Sequence, residues 1–184
     1  MIINRVGSMG LSGGAIAKQV EASADDGYWY SGDSSFSNSS TELSYGVYGY
    51  LGLFARWIGI TIPGKPAILS ASVQVYVADT MGAVTVRIYF NNVAAPTSPT
   101  SYATAIAKAL TTAYVTWTIP AKVGWQTSPD ISAVIQEIVD AHGPFSNGAM
   151  MMIFSPSASD GDANNIRAFD YSGNLHGPKL NISW

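Results

Sequence analysis

From residue 55 onward the apolar side chains fall on every second position. Ile58, Ile60 and Ile62 form one such row, Val73, Val75 and Val77 the next, then Val84, Val86, Ile88 and Phe90, and then Val115, Trp117 and Ile119. Successive side chains of a strand point to opposite faces, so each row predicts a strand with one buried face. Turn chemistry separates the rows, as in Ile62-Pro63-Gly64-Lys65-Pro66, Asp79-Thr80-Met81-Gly82 and Ala95-Pro96-Thr97-Ser98-Pro99. Residues 149 to 155 break the alternation with a continuous apolar run, the pattern of a strand covered on both faces. Residues 166 to 171 and 178 to 184 predict two closing strands joined through Ser172-Gly173-Asn174.

One segment keeps a different period. Ile131, Val134, Ile135, Ile138 and Val139 stand at i, i+3, i+4, i+7 and i+8, which places them in one stripe on a helix. With Ser128 as cap, Pro129 in the first turn and Gly143 past the end, the helix is expected over about 129–141. Many short strands and a single helix predict an all-β fold, an antiparallel jelly-roll β-sandwich of about eight strands. No internal repeat of solenoid or propeller length is present.

The start of the chain reads differently. Gly7, Gly10, Gly13 and Gly14 interrupt any regular element, so residues 1–20 are expected to form an extended N-terminal arm and residues 21–184 the jelly-roll domain. The arm's apolar residues Ile2, Ile3, Val6, Met9, Leu11 and Ile16 are the candidates for contact with a partner subunit; the alternative is a disordered tail.

Composition narrows the function. At 184 residues the chain suits one domain with a sizeable core. Only 11% of residues are charged, against about 25% in an average soluble protein. Such a surface suits an assembly or contact with glycans better than free solution at high concentration. The formal net charge is −3 with no basic patch, which argues against a nucleic-acid partner. Absence of cysteine removes disulfides, thiolate catalysis and Cys-based zinc sites together. The first residues lack the apolar core of a secretion signal, and no stretch approaches about 18 apolar residues, so a cytoplasmically made chain with no membrane span is expected.

Chemistry-bearing clusters are few. Tyr28, Trp29, Tyr30, Phe36, Tyr45, Tyr48, Tyr50, Phe54 and Trp57 crowd one segment rich in Gly and Ser. Aromatic rings stack on sugars and anchor protein interfaces, and they also pack between strands; all three readings stay open, with Tyr28, Trp29, Tyr30, Tyr45, Tyr48 and Tyr50 as the glycan or interface candidates. Asp160, Asp162 and Asn164 have the alternating oxygen donors of a calcium loop, yet Asn165 stands where the sharp-turn glycine belongs and Tyr171 where the bidentate Glu belongs. A polar turn is therefore expected, with calcium as the sole cofactor candidate. Asp25-Asp26 reads in the same way, as carboxylates supporting a loop. His142 and His176 lie beside Gly in expected loops, outside any nucleophile or zinc motif. Glu137 and Asp140 fall on the helix's polar side, a solvated face by default. No catalytic residues are assigned.

Ala24-Asp25-Asp26-Gly27-Tyr28-Trp29, Arg56-Trp57-Ile58-Gly59-Ile60-Thr61-Ile62-Pro63 leading into Ala67 to Val73, Val115-Thr116-Trp117, the Ser128 to Val139 helix and the closing Pro178-Lys179-Leu180-Asn181-Ile182 together carry a resemblance. Their order resembles the DNRLRE-type domains, β-sandwich modules similar to carbohydrate-binding modules of the jelly-roll kind. The resemblance covers residue 21 to the end. It implies a non-enzymatic sandwich, in most members attached to secreted enzymes or surface proteins and in related cases part of phage virions. The arm and the absence of a companion catalytic domain tilt the expectation toward a virion structural protein, a capsid decoration or cement protein or a fibre component. Its expected partners are capsid or tail proteins and further copies of itself, as a homotrimer or other homo-oligomer. The alternative is a carbohydrate-binding module or adhesive surface subunit that contacts cell-surface polysaccharide.

Overall fold

The computed structural model describes residues 13–40, 42–46, 51–80, 82–156, 165–169 and 176–184. In chain order the first strands are β1 (Ala15–Gln19), β2 (Asp26–Tyr30), β3 (Ser35–Ser37), β4 (Glu42–Gly46), β5 (Leu51–Ile62), β6 (Ser70–Thr80) and β7 (Val84–Phe90). The helix α1 (Tyr102–Ile106), strands β8 (Val115–Ile119) and β9 (Gly124–Thr127), the helix α2 (Ser132–His142), and strands β10 (Phe145–Pro156), β11 (Asn165–Phe169) and β12 (Lys179–Ser183) follow.

Two antiparallel sheets pack face to face. One contains β1, β4, β6, β9, β11 and β12 around β6; the other runs β3-β2-β5-β10-β7-β8. Gln74 pairs with both Thr127 and Lys179, and Val77 with both Gly124 and Ala168. β9 therefore follows one edge of β6, while β12 and β11 succeed one another along the other edge. The resulting neighbour orders, β4-β11-β6-β9 and β5-β10-β7-β8, distribute eight consecutive strands over two layers, with only β7 and β8 following one another in the same layer, which is the jelly-roll arrangement expected from the sequence.

The core lies between the layers. Val73, Val75 and Val77 of β6 face Val84, Val86, Ile88 and Phe90 of β7, and Trp117 and Ile119 come from the edge strand β8, all of them buried. The Trp57 indole N–H donates to the Pro178 carbonyl at 3.0 Å, so the largest core side chain leaves no polar atom stranded and ties the β10 sheet to the entry of β12. In the centre of its sheet, β10 runs between β5 and β7, and every residue from Ala149 to Phe154 is buried, as the unbroken apolar run implies.

The phase of β5 departs from expectation. Ile60 and Ile62 are fully buried, but Ile58 is 38% exposed on the other face. Gly59 has φ +68°, and Gly148 and Ala149 pair with Ile60 and Ile58, so one extra β5 residue sits in a bulge. A bulge with glycine in the left-handed region adds one residue and flips the alternation.

α2 buries the stripe read from the sequence: Val134, Ile135, Ile138 and Val139 are inside, with Ile131 just before them. Burial of each such side chain contributes about 1.5–3 kcal/mol. The helix begins later than expected, because the residues before it are drawn onto β6. The Val73 N–H donates to Ser128 Oγ, the Ser128 and Ile131 N–H groups donate to the Val73 and Ala71 carbonyls, and the carboxylate of Asp130, in place of Ser128, accepts from the Ser132 N–H. Gly143 does follow the last turn, at an ordinary φ of −64°.

The root of the expected arm belongs to the sandwich. β1 pairs with β12 from Ala15–Ser183 to Gln19–Lys179, Gly14 exchanges two backbone hydrogen bonds with Trp184, and Val20 is buried in the core. Ile16 packs against that core and is not held out for a partner. Glycines at 13 and 14 end the strand without preventing it. The other arm candidates, Ile2, Ile3, Val6, Met9 and Leu11, lie outside the described residues.

Candidate functional site

The middle of the outer face of the β10 sheet is covered. Phe54, Met151 and Ile153 point outward from it and are buried among Trp29 and Phe36 of the neighbouring strands β2 and β3 and Tyr102 and Ala105 of the covering segment. The cover is the segment between β7 and β8 that carries α1, whose first turn is held by reciprocal capping of Ser101 and Thr104. Trp29 lies so closely on Gly52 that a Cβ there would stand 2.0 Å from the indole. At 7% exposure Trp29 is a packing residue, which corrects its reading as a glycan or interface aromatic. Phe36 stacks on Phe54 with ring centroids 6.0 Å apart. Tyr28 and Tyr30 are half-buried on β2, and the side chains of Tyr45, Tyr48 and Tyr50 lie outside the described residues, as do Asp160, Asp162 and Asn164.

Asp25 is buried at the edge of the same cover. Its Oδ1 accepts from Arg56 Nη1 at 2.6 Å and from the Ser98 hydroxyl, while Arg56 Nε donates to the Pro96 carbonyl at 2.7 Å. The expected loop support is thus a side-chain ion pair that fastens the covering segment to β5. Burial, and then the neighbouring Arg56 charge, hold the Lys108 amine below its ordinary value.

α2's polar side is occupied as well. Glu137 accepts from the Thr112 and Ala113 N–H groups at 2.9 and 2.8 Å and from the Asn92 amide at 3.1 Å, which corrects the solvated-face reading. His142 ends the helix and shares a 2.9 Å hydrogen bond with Asn92 Oδ1. Among the described residues no group of three or more His, Cys, Asp or Glu could hold a metal ion. No helix among them is long and apolar enough to cross a membrane.

Among the described residues no element lies over the outer face of the β6 sheet. Ser70, Ser72, Gln74 and Tyr76 point away from the core, since Ala71, Val73, Val75 and Val77 take the inward phase. Pairing places Ser183, Asn181 and Lys179 of β12 on one side of this row and Thr127 and Trp125 of β9 on the other. At one end Tyr76 meets Trp125 edge-on at 5.4 Å, and His176 lies 4.2 Å from Tyr76 and 5.8 Å from Trp125. Lys179 Nζ sits 3.7 Å from the centre of the Trp125 ring. At the other end a groove of about 530 Å³ is floored by Ala15, Ala17, Ser70, Ser72, Asn181 and Ser183. Asp130 stands at its rim, its carboxyl held below the ordinary value by hydrogen bonding from Ser132, with partial burial opposing and the Ala71 and Ser132 backbone N–H groups adding to the fall.

This cluster was absent from the sequence-level candidates. Tyr76 was legible as a ring in the outward phase of a well-marked strand. Trp125 lay in a short segment without alternation, and only strand pairing brings it beside residues 176 and 179.

No family model matches the chain, and no curated protein matches it. Among solved structures it is similar to the isomalto-dextranase of Arthrobacter globiformis T6, complexed with panose, at 11% identity and a TM-score of 0.33. The match covers 92% of this chain and 23% of that one, so the chain spans about a quarter of the neighbour's length.

Proposed function

We propose that the chain is a non-enzymatic virion structural protein, a capsid decoration or cement protein or a fibre component, that is held on the particle and presents its sandwich outward. One observation carries this reading: the segment sealing the β10 sheet leaves Ile106, Leu110 and Tyr114 at 54%, 40% and 47% exposure. Tyr114 is steadied by Tyr89 at 5.2 Å and by Arg87 over its ring, so it is a rigid anchor of the kind that protein interfaces favour. On a chain with 11% charged residues, apolar side chains grouped on one segment fit attachment to capsid or tail proteins or to further copies in a closed oligomer. The opposite layer of the sandwich then faces outward.

Immunogold microscopy with an antibody against the recombinant chain is expected to label virus particles on shell or tail. Serine at positions 106, 110 and 114 together should abolish attachment while the thermal transition persists. Labelling confined to cell surfaces would overturn the reading.

A second reading, saccharide contact by a carbohydrate-binding module, is favoured by the rings of Tyr76, Trp125 and His176 on the outer face of the β6 sheet.

A further inference from the structure

The outer face of the β6 sheet, over which no described element lies, combines three properties in one row. It has flat rings at one end, a recess at the other, and uncharged hydrogen-bonding side chains between them. From Ser70 to Tyr76 the row is about 20 Å long at the rise of a β-strand, long enough for several consecutive sugar residues. Gln74 Nε2 donates to Thr127 Oγ1 at 3.0 Å, and the Ser70 and Ser183 hydroxyls share a hydrogen bond at 2.8 Å. These bonds hold the row in place and leave each group further capacity for ligand hydroxyls.

The charge at the aromatic end is specific. Lys179 Nζ is held over Trp125 by the ring's negative face. A cation parked on an aromatic plane stays available for a charge-assisted hydrogen bond and adds no competing carboxylate. The acidic group at the far end, Asp130, is already engaged by the Ala71 N–H, the Ser132 N–H and the Ser132 hydroxyl. The face thus offers a positive end to an anion although the chain as a whole is acidic.

We propose that this face binds an acidic polysaccharide, with a sugar carboxylate on Lys179, sugar rings against Tyr76 and Trp125, and hydroxyls along Ser72, Gln74 and Asn181. The inference rests on the saccharide reading above and adds the ligand's charge and position. Attachment through the opposite layer leaves the face clear.

Affinity electrophoresis and calorimetry of the full chain, with polygalacturonate as acidic probe and dextran as neutral one, test this. Polygalacturonate is expected to bind at least about tenfold more tightly than dextran and to weaken as salt rises. Lys179→Ala and Trp125→Ala should each lower that binding about tenfold or more, whereas Lys179→Arg should keep most of it. Lys179→Glu gives the same readout should Trp125→Ala fail to fold. Dextran binding that Trp125→Ala removes and Lys179→Ala leaves intact would overturn the acidic ligand and keep the saccharide reading. No binding to either polymer, or binding indifferent to both substitutions, would overturn the two together.

Discussion

The β10 sheet and the β6 sheet share one core and differ in what lies over their backs. Phe54, Met151 and Ile153 on the back of the first are buried with Trp29 of β2 beneath the segment that carries Tyr102 and Ala105. Ser70, Ser72, Gln74 and Tyr76 on the back of the second are covered by no element among the described residues. The sealed sheet needs apolar residues in both phases, which is why β10 reads as an unbroken run. In the open sheet β6 and β12 keep strict alternation and place their polar phase outside, with the ring of Tyr76 beside that of Trp125 from β9. The first layer buries apolar side chains on both of its faces, the second on one.

The largest expected effect breaks this comparison directly. Aspartate at Met151 should destabilise the fold nearly as much as aspartate at Met152, by about 3–5 kcal/mol, because both faces of β10 are dry. On β6, aspartate at Val73 should be equally damaging, while Ser72→Asp should cost no more than about 0.5 kcal/mol. Urea denaturation of the four variants checks it; a mild Met151→Asp would mean that the cover over the β10 sheet is loose.

Truncation sharpens the boundary of the open sheet. Removing residues 1–12 should leave the melting temperature within about 2 °C, whereas removing 1–20 deletes β1 and Val20 and should lower it by about 8 °C or more, read by calorimetry. Equal melting temperatures would return residues 15–20 to the arm.

A smaller effect comes from the clamp between α2 and the cover. Glu137→Ala leaves the Thr112 and Ala113 N–H groups without their acceptor and should cost about 1–2 kcal/mol in urea, while an unchanged midpoint would show that the clamp contributes nothing. Smallest is the pH dependence at Asp130. Its folded value is depressed, so its contribution is present above the unfolded value near about 4 and is lost as pH falls through the folded value. Asp130→Asn should therefore be slightly less stable than the parent at neutral pH, with the gap closing in acid. A gap constant down to pH of about 2 would contradict this.

Most of the architecture was legible because long strands carry a strong period. The rows at 73–77, 84–90 and 115–119 lie inward as read, and so does the helical stripe. Ile58 was misplaced because Gly59 looks like an ordinary strand glycine until its φ of +68° reveals the bulge. The helix start moved because Ser128 bonds sideways to β6, a competition between secondary elements that no local pattern records. β2, β3, β4 and β9 are short and rich in Gly, Ser and Tyr, so they show little alternation. The candidate face was illegible for a further reason: Tyr76, Trp125, His176 and Lys179 come from three separate stretches and meet only through the pairing of β9 and β12 with β6.

The most direct test of the outward-facing β6 sheet is amide NMR of the full chain titrated with an oligomer of galacturonate. The shifts are expected at Ser72, Gln74, Tyr76, Trp125, Lys179 and Asn181. Shifts confined to Tyr28, Tyr30 and their neighbours, or none at saturating oligomer, would contradict the account.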